Sequence, residues 1–365
     1  MKKRLLISIL CFLLMAGLPL LSAGGHMDGE AFTEMFGAEE TESAETSVQS
    51  QTTKKEESKE NSKSESKTEK SQNSENDTKQ KSATDTFIIL DTASGKTVEV
   101  GDRDFCMGAL AYEMPPSFEK EALKAQTVAL YTHFCRIREK QRKEPEKDLK
   151  GADFSADLKK GEIYLTDEVL KEKWGSLYDE SIKKVQTAVD EVFGEVLTSG
   201  GELIDACYHA ISSGTTENAE DIFGFKCDYL KAVASPWDTA APDYMTSADF
   251  TTAEFKEKLS SFGISFSGKA EDYIKNISAT PSGSVKTLKI CGKELTGSQV
   301  RQTFGLRSAA FTVKYAGGKF TFTVKGYGHG VGFSQYGAQG MAQQGSDYKE
   351  ILQHYYRGVQ LGIRS

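Results

Sequence analysis

The pattern of apolar and polar positions divides the chain into three regions. Residues 1–24 place a Lys-Lys-Arg cluster ahead of an apolar run that ends at Leu21. Residues 25–84 form the second region. Its stretch from about 39 to 81 consists mostly of Ser, Thr, Glu, Lys, Gln and Asn, with almost no apolar side chains. From 85 to 365 apolar residues recur with the short periods of strands and helices, which predicts a folded domain.

The first two regions predict an exported domain on a tether. A basic start followed by an apolar run is typical of an export signal peptide. The run is also close to the length that spans a bilayer, so a retained membrane anchor is the alternative. Residues 25–84 have too little apolar surface to form a core and predict a disordered polar tether. In either case we expect the domain outside the cytoplasm, with membrane attachment through the N-terminal segment.

Within residues 85–365 the periodicities predict individual elements. Short apolar runs and alternating patterns predict the strands Phe87–Leu90, Lys96–Val100, Glu195–Thr198 and Glu202–Tyr208, and a hairpin over Ala309–Val324. Apolar spacings of three and four predict the helices Ser117–Glu139, Glu180–Phe193, Thr252–Phe262 and Tyr348–Tyr356. Asp104–Tyr112 fits either a short helix or a strand. In the first of these helices Ser117 is the expected N-cap.

Helices interspersed with antiparallel hairpins predict an α+β fold rather than a parallel βαβ sheet. The region is long enough for one large domain or a two-lobed domain, with the polar motifs expected around a groove. The net charge of −8 gives no basic bias, so we expect no nucleic-acid partner. A disulfide between Cys207 and Cys227 and buried free thiols both fit the cysteine spacing.

Three stretches concentrate polar and aromatic residues at turns between elements, where side chains converge on ligands. The first two are Tyr112–Gln126 and Tyr208–Gly224. The third, Gly326–Gly340, carries so many glycines that its backbone is expected to approach another group closely or to take positive φ. Two interpretations of this stretch fit equally: a surface that contacts a ligand, and a tight connection from a hairpin to a helix.

Together the three stretches resemble the stage II sporulation protein D family, which includes amidase-enhancer-like proteins. Gly305–Ser308 and the Glu195–Leu203 hairpin fit the same pattern, and the resemblance covers Thr86 to Leu361. It implies a lytic transglycosylase that cleaves the MurNAc–GlcNAc bonds of peptidoglycan glycan strands. In sporulating bacteria such an enzyme acts during engulfment, beside a cell-wall amidase that first removes the stem peptides.

The resemblance places the catalytic acid on Glu113. Glycosidic cleavage needs a proton on the leaving oxygen, which a carboxylic acid with a raised pKa supplies. The 6-hydroxyl of the sugar then closes an anhydro ring, so one acid suffices where most glycosidases use two carboxylates. Tyr112 and Met114 are expected to keep this carboxyl in apolar surroundings, whereas a helix starting near Ser117 would lower its pKa. The structural alternative is a solvated acid beside a helix.

The same resemblance and the residue types give a set of expected substrate contacts, with no cofactor and no metal. These contacts are Lys124, Gln126, His209, Ser212, Ser213, Thr216, Glu217, His329, Ser334, Gln335 and Tyr336. Several of them have a structural alternative. Lys124 fits a solvated helix face, the residues from Ser212 to Glu217 fit a helix-capping pattern, and either histidine fits a purely structural position.

The sequence departs from the family pattern at two places. Many members carry a Cys and His cluster suited to zinc, but here Ser155, Lys160 and Gly161 stand where ligands are expected. Tyr131 replaces an arginine near the end of the long helix, and a tyrosine lacks the charge and the donor fork of arginine.

Three other activities compete with the transglycosylase. The first is a non-catalytic glycan-binding module that enhances an amidase. The second is a hydrolase in which Glu217 or Asp221 activates water. The third is a Ser–His hydrolase using Ser213 or Ser334 with His329, which lacks the Gly-x-Ser-x-Gly elbow.

Overall fold

The computed structural model describes residues 86–364. The predicted signal or anchor at 1–24 and the predicted tether at 25–84 lie outside the described residues. Among the residues described, no helix has both the length and the apolar character needed to cross a bilayer.

Helices and mostly antiparallel strands alternate along the chain, which confirms the predicted α+β fold. The helices are α1 Asp102–Glu113, α2 Lys120–Lys143, α3 Asp167–Trp174, α4 Tyr178–Val192, α5 Ala219–Phe223, α6 Thr252–Lys258, α7 Gly297–Phe304, α8 Gln335–Gln343 and α9 Tyr348–Tyr355. The strands are β1 Thr86–Asp91, β2 Thr97–Gly101, β3 Phe154–Ala156, β4 Glu195–Ser199, β5 Glu202–Leu203, β6 Tyr208–His209, β7 Met245–Thr251, β8 Ile274–Ala279, β9 Val285–Ile290, β10 Lys293–Thr296, β11 Phe311–Ala316, β12 Lys319–Lys325, β13 Phe333–Ser334 and β14 Gln360–Ile363.

The residue that ends α1 is fixed by the proline pair behind it. A residue before proline is pushed out of the helical region into extended backbone. Met114, which precedes Pro115, takes φ −134° and ψ 142°. Glu113 is therefore the last helical residue and projects from the C-terminal end of α1.

The next helix begins later than predicted. Ser117 lies in a turn closed by the hydrogen bond from Phe118 N to the Pro115 carbonyl. Glu119 is the N-cap residue instead, and its N–H donates to Oε1 of Gln339 at 2.7 Å. The prediction of Ser117 as N-cap is wrong because the proline pair and the following turn delay the N-cap by two residues, to Glu119.

The folded region holds two hydrophobic cores. Of the two predicted forms, one large domain or a two-lobed domain, this observation favours the two-lobed domain. The main core packs α1, α2, α4 and α9 around residues such as Phe87 and Tyr355. The second core lies within residues 245–325, where α6 and α7 pack on the sheets β8–β10 and β7–β12–β11. In this second lobe the rings of Phe255 and Phe320 stack at 3.9 Å.

The main lobe is built from segments that precede and follow the second lobe in the chain. β6, before the insertion, pairs in parallel with β13, after it, through Tyr208 opposite Phe333. The predicted strand Glu202–Tyr208 is wrong, since β5 ends at Leu203 and the amide of Asp205 donates to the hydroxyl of Tyr229 instead.

The glycine-rich stretch packs against the second polar stretch. Gly328 has φ +116°, and Gly332 lies so close to the carbonyl oxygen of Cys207 that a Cβ would overlap it. Two isolated β-bridges, Ile211 to Tyr327 and Glu217 to Val331, also join the two stretches. The predicted close approach and positive φ are confirmed, and the close neighbour is the segment around residues 207–217.

Candidate active site around Glu113

Residues from all three polar stretches meet at Glu113. Tyr208 donates its hydroxyl hydrogen to Oε1 of Glu113 at 3.1 Å, and Nε2 of Gln335 donates to Oε2 at 3.2 Å. Oε1 of Gln126, on α2, lies 3.5 Å from the same Gln335 nitrogen. Glu113 is half-buried as a residue, and each of its carboxyl oxygens accepts a hydrogen bond from a protein donor.

Burial raises the pKa of Glu113 to about 7, and the hydrogen bonds from Tyr208 and Gln335 lower it by less. The C-terminal end of α1, where this residue sits, carries a partial negative charge that also disfavours a carboxylate. Met114 is buried beside it, whereas Tyr112 is half-buried. At neutral pH the site therefore holds a carboxyl group poised between its acid and base forms.

Lys124 points away from this site. Residues two positions apart on a helix face nearly opposite directions, and here Gln126 is the one facing Glu113. The ammonium of Lys124 lies 2.9 Å from Glu121 and 3.2 Å from Glu191, and 4.4 Å above the ring of Tyr348. The side chain is buried in an ion cluster, so a solvated face does not describe its position, and its substrate contact stays a prediction.

Ser212 and Ser334 are tied to a carboxylate that sequence reasoning missed. Asp238 accepts the hydroxyl hydrogen of Ser212 at 2.5 Å and that of Ser334 at 2.6 Å. All three side chains are buried. Ser334 also accepts from Gly337 N as the N-cap of α8. Their predicted contact with sugar stays a prediction, while the structure gives them internal partners that fix the start of α8 and hence Gln335.

Glu217 joins the two lobes. It is buried, and its Oε1 accepts from Thr280 Oγ1 at 2.9 Å and from Ser284 N at 3.3 Å, both in the second lobe. Burial raises the pKa of Glu217. Thr216 and Ser213 contact the same loop, through Ser282. The capping pattern expected over these residues is absent, since Asn218 precedes α5 without a side-chain cap.

His209 and His329 form a buried pair with ring centroids 5.7 Å apart. Nδ1 of His329 accepts from Val331 N at 3.0 Å, and Nδ1 of His209 lies 3.2 Å from the Val331 carbonyl oxygen. Burial lowers the pKa of His209 to about 4 and that of His329 well below its usual value. Both rings are therefore neutral at pH 7. Their contacts with the backbone of Val331 hold the glycine-rich stretch in place.

Tyr336 follows Gln335 at the start of α8 and is half-buried. Its ring packs edge-on against Phe118 at 5.0 Å, and burial raises its pKa while the charge of Arg307 lowers it. Arg307 in turn stacks on Tyr327, with its guanidinium carbon 4.5 Å from the ring centroid. Tyr327 and Arg307 both lie in stretches that carried the family resemblance, but neither is among the predicted substrate contacts.

The two departures from the family pattern have local explanations. Tyr131 donates to the buried carboxylate of Asp102 at 2.9 Å, and Arg138 supplies the positive charge at 2.6 Å. Asp102 begins α1 and Glu113 ends it, about 16 Å away at 1.5 Å per residue. Tyr131 therefore belongs to a structural ion cluster remote from the acid.

The residues of the expected zinc loop do not fit a zinc site. Lys160 pairs with Asp157 at 2.9 Å, and Ser155 is exposed on β3. β3 pairs with β1, and the buried Asp153 accepts from Arg142 at 2.7 Å. These interactions hold the loop. Cys207 and Cys227 are not joined to each other, so the predicted disulfide between them is wrong.

Comparisons with known proteins agree with the motifs. A sequence model of the family described as SpoIID, stage II sporulation protein, matches residues 92–199, which contain Glu113 and α2. The chain is 40% identical over 259 residues to stage II sporulation protein D of Bacillus amyloliquefaciens, covering 71% of this chain and 73% of that protein.

Two further relatives come from Bacillus subtilis (strain 168). Its stage II sporulation protein D is 37% identical over 270 residues, which are 74% of this chain and 77% of that protein. Its amidase enhancer is 27% identical over 304 residues, which are 70% of this chain and 40% of that protein. The identity and coverage of the sporulation proteins show that this chain belongs to the stage II sporulation protein D family.

Proposed function

We propose that the protein is a peptidoglycan lytic transglycosylase with Glu113 as its single general acid and base. The observation that carries the proposal is the half-buried carboxyl at the meeting point of the three stretches, with a pKa raised to about 7. A group that is partly protonated at neutral pH can deliver a proton and then accept one.

The proposed reaction has two steps. Protonated Glu113 gives its proton to the oxygen that links MurNAc C1 to GlcNAc, and the C1–O bond breaks as positive charge develops on the MurNAc ring. The 6-hydroxyl of that MurNAc then bonds to C1 and gives its proton to the Glu113 carboxylate. The products are a GlcNAc end and a 1,6-anhydro-MurNAc end, and the acid is regenerated without water.

Tyr208 and Gln335 position the acid in this scheme. Each donates to one carboxylate oxygen, so the ionised form left after the first step keeps two hydrogen bonds. The Asp238 cluster and the buried histidine pair support these donors by fixing β6 and the start of α8. We propose that the enzyme acts in sporulation on strands stripped of stem peptides, exported and membrane-tethered, beside a cell-wall amidase.

The likeness to an amidase enhancer favours a second candidate, a glycan-binding module that stimulates an amidase without cutting the strand. The hydrolase alternatives have less support. Glu217 faces the second lobe, and Asp221 pairs with Lys286 at 2.9 Å. Ser334 donates to Asp238 rather than to a histidine.

The variant Glu113→Gln separates the two candidates. It keeps the shape and one acceptor oxygen but carries no transferable proton, so the proposal predicts loss of cleavage by at least about 100-fold with strand binding retained. Glu119→Gln, which changes an exposed acid six residues away, is the matched control and is expected to cleave normally. Undiminished cleavage by Glu113→Gln would contradict the proposal.

A further inference from the structure

The loop that follows Glu113 lies along one face of α8. The backbone N–H of Glu119 donates to Oε1 of Gln339 at 2.7 Å. At the start of the same helix, Nε2 of Gln335 donates to the Glu113 carboxyl at 3.2 Å. Gln335 is buried, whereas Tyr336 and Gln339 are half-buried. The half-buried face of α8 therefore starts beside the acid and continues along the helix.

A tryptophan from outside α8 lies on this face. A Cβ added to Gly340 would be 2.3 Å from Cβ of Trp237, so the tryptophan side chain starts close to where a side chain of residue 340 would stand. Residues four apart on a helix have Cβ atoms about 5–6 Å apart on one face. Tyr336 and Trp237 are therefore neighbours, and Gln339, three residues after Tyr336, borders both.

The two aromatic residues are fixed and still partly exposed. Trp237 is half-buried, as Tyr336 is. The Tyr336 ring packs edge-on against Phe118 at 5.0 Å, and the Trp237 ring packs edge-on against His354 at 5.7 Å. Aromatic rings that are already held in place lose little freedom when a ligand binds. We call Tyr336, Gln339 and Trp237 together the α8 face.

The amide of Gln339 has a fixed orientation within the α8 face. A backbone N–H can only donate, so the bond from Glu119 places the amide oxygen on the side of the loop. The two hydrogens of Nε2 then remain for another acceptor. An acetamido group supplies a carbonyl oxygen that accepts from Nε2 and a methyl group that packs on the neighbouring rings.

We propose that the α8 face is a subsite for an N-acetylated sugar of the glycan strand, next to the sugars held at Glu113. The inference rests on the proposed function. A pyranose ring places its apolar C–H face on Trp237 and Tyr336, and its N-acetyl carbonyl accepts from Nε2 of Gln339. Four residues of α8 span about 6 Å, comparable to the length of one sugar ring, so the face accommodates one sugar beyond those at the acid.

The α8 face suits an uncharged ligand. None of its three side chains is charged at neutral pH, and burial raises the pKa of the Tyr336 phenol. Stacking and a single amide hydrogen bond involve no ion pair, so salt is expected to change binding at this face little. This separates the proposed subsite from a surface that attracts the strand through charge.

Tryptophan fluorescence tests the proposal without altering the α8 face. The chain has two tryptophans, and the other one, Trp174, is buried in α3. The test uses the full chain carrying Trp174→Phe and Glu113→Gln, so that Trp237 is the only tryptophan and no strand is cut. The probes are chitotetraose, a tetramer of N-acetylglucosamine, and cellotetraose, which carries hydroxyls in place of the acetamido groups.

We expect chitotetraose to change the emission of Trp237 saturably, at low and high salt alike. Its binding should be about tenfold tighter than that of cellotetraose, because only the acetamido group satisfies Gln339. Adding Gln339→Glu keeps an oxygen for the N–H of Glu119 but removes the Nε2 donor, and should reduce this preference to about one. Gln343→Glu adds the same charge one turn later, at an exposed residue, and should keep the preference.

The outcomes distinguish the subsite from the proposed function. Trp237 emission that does not respond to chitotetraose, equal binding of the two probes, or a preference that survives Gln339→Glu would overturn the subsite. If the wild-type chain nonetheless cuts strands, the proposed function stands without it. The expected fluorescence response and preference in a protein whose wild-type chain cuts no strand would contradict the proposed function alone.

Discussion

The hydroxyl of Tyr208 and the carboxyl of Glu113 lie 3.1 Å apart, although 95 residues separate them in the chain. The hydrogen bond favours the ionised carboxylate, as does the second bond from Gln335. Burial opposes both and is the larger effect, which leaves the pKa near 7. The chemistry proposed for the site depends on this balance.

The first prediction is an alkaline limit to activity. The proton-donating form of Glu113 is lost as pH rises through its pKa of about 7. We therefore expect kcat/KM on stripped strands to fall about tenfold per pH unit above that value. Rates measured from pH 5 to 9 check this, and a flat profile between pH 7 and 9 would count against Glu113 as the proton donor.

The second prediction concerns the hydrogen bond from Tyr208. Tyr208→Phe removes a donor that stabilises the carboxylate, so the pKa of Glu113 and the alkaline limb should both move to higher pH. Tyr356→Phe is the matched control, since its buried hydroxyl donates to the Cys207 carbonyl oxygen, which also accepts from Phe333 N. We expect the control to leave the limb in place. A limb that does not move in Tyr208→Phe would show that this bond does not tune the acid.

The third prediction links the same pKa to stability. The folded pKa of Glu113 lies above its ordinary value of 4.5, so its contribution to stability is greatest below 4.5 and is lost as pH rises through 7. Relative to Glu113→Gln, the wild-type protein should lose on the order of 1–3 kcal/mol between pH 4.5 and 8. Urea unfolding of both proteins at several pH values measures the difference, and a constant difference would contradict the raised pKa.

Local patterns predicted much of the secondary structure. The 3.6-residue spacing located α2, α4 and α9, and alternation located the β11–β12 hairpin, because these signals lie within one element. The boundary at Ser117 failed because the Pro115–Pro116 turn competes with capping. The junction of β6 with β13 was not predictable from local sequence, since a two-residue parallel pair depends on partners about 120 residues apart.

The fourth prediction tests Glu217 as the link between the lobes. Glu217→Ala removes the acceptor of Thr280 Oγ1 and Ser284 N and should cost about 1–3 kcal/mol. Amide hydrogen exchange should rise at residues 280–284. Glu217→Gln keeps one acceptor oxygen and should have a smaller effect. Glu271→Ala, at an exposed acid of the second lobe, serves as control, and unchanged exchange in Glu217→Ala would exclude the linking role.

The fifth prediction concerns the missed carboxylate. Asp238→Ala leaves the buried hydroxyls of Ser212 and Ser334 without their acceptor, and should lower stability by about 1–3 kcal/mol. Because Ser334 starts α8, it should also lower kcat by displacing Gln335. Asp249→Ala removes an exposed acceptor of Thr321 and should do neither. Thermal unfolding and cleavage rates distinguish the two variants.

The sequence indicated which stretches contribute residues to the candidate site, but not which contacts each residue makes there. The family resemblance located Glu113, and the structure adds Tyr208 and Gln335 as its donors. Asp238 stands in a segment with no motif, and its two serine partners come from different stretches, so no local signal marked it. No local signal marked the contacts of Lys124 with Glu191 on α4 and with the Tyr348 ring on α9, because both are distant in sequence, and its predicted substrate contact stays a prediction.

The most direct test of the account is the mass of the new chain ends. Purified glycan strands without stem peptides are incubated with the full chain, and the products are analysed by mass spectrometry. The account predicts fragments ending in 1,6-anhydro-MurNAc, absent with Glu113→Gln. Ends heavier by one water would identify a hydrolase, and intact strands that bind the protein would identify a non-catalytic module; either result would contradict a transglycosylase built on Glu113.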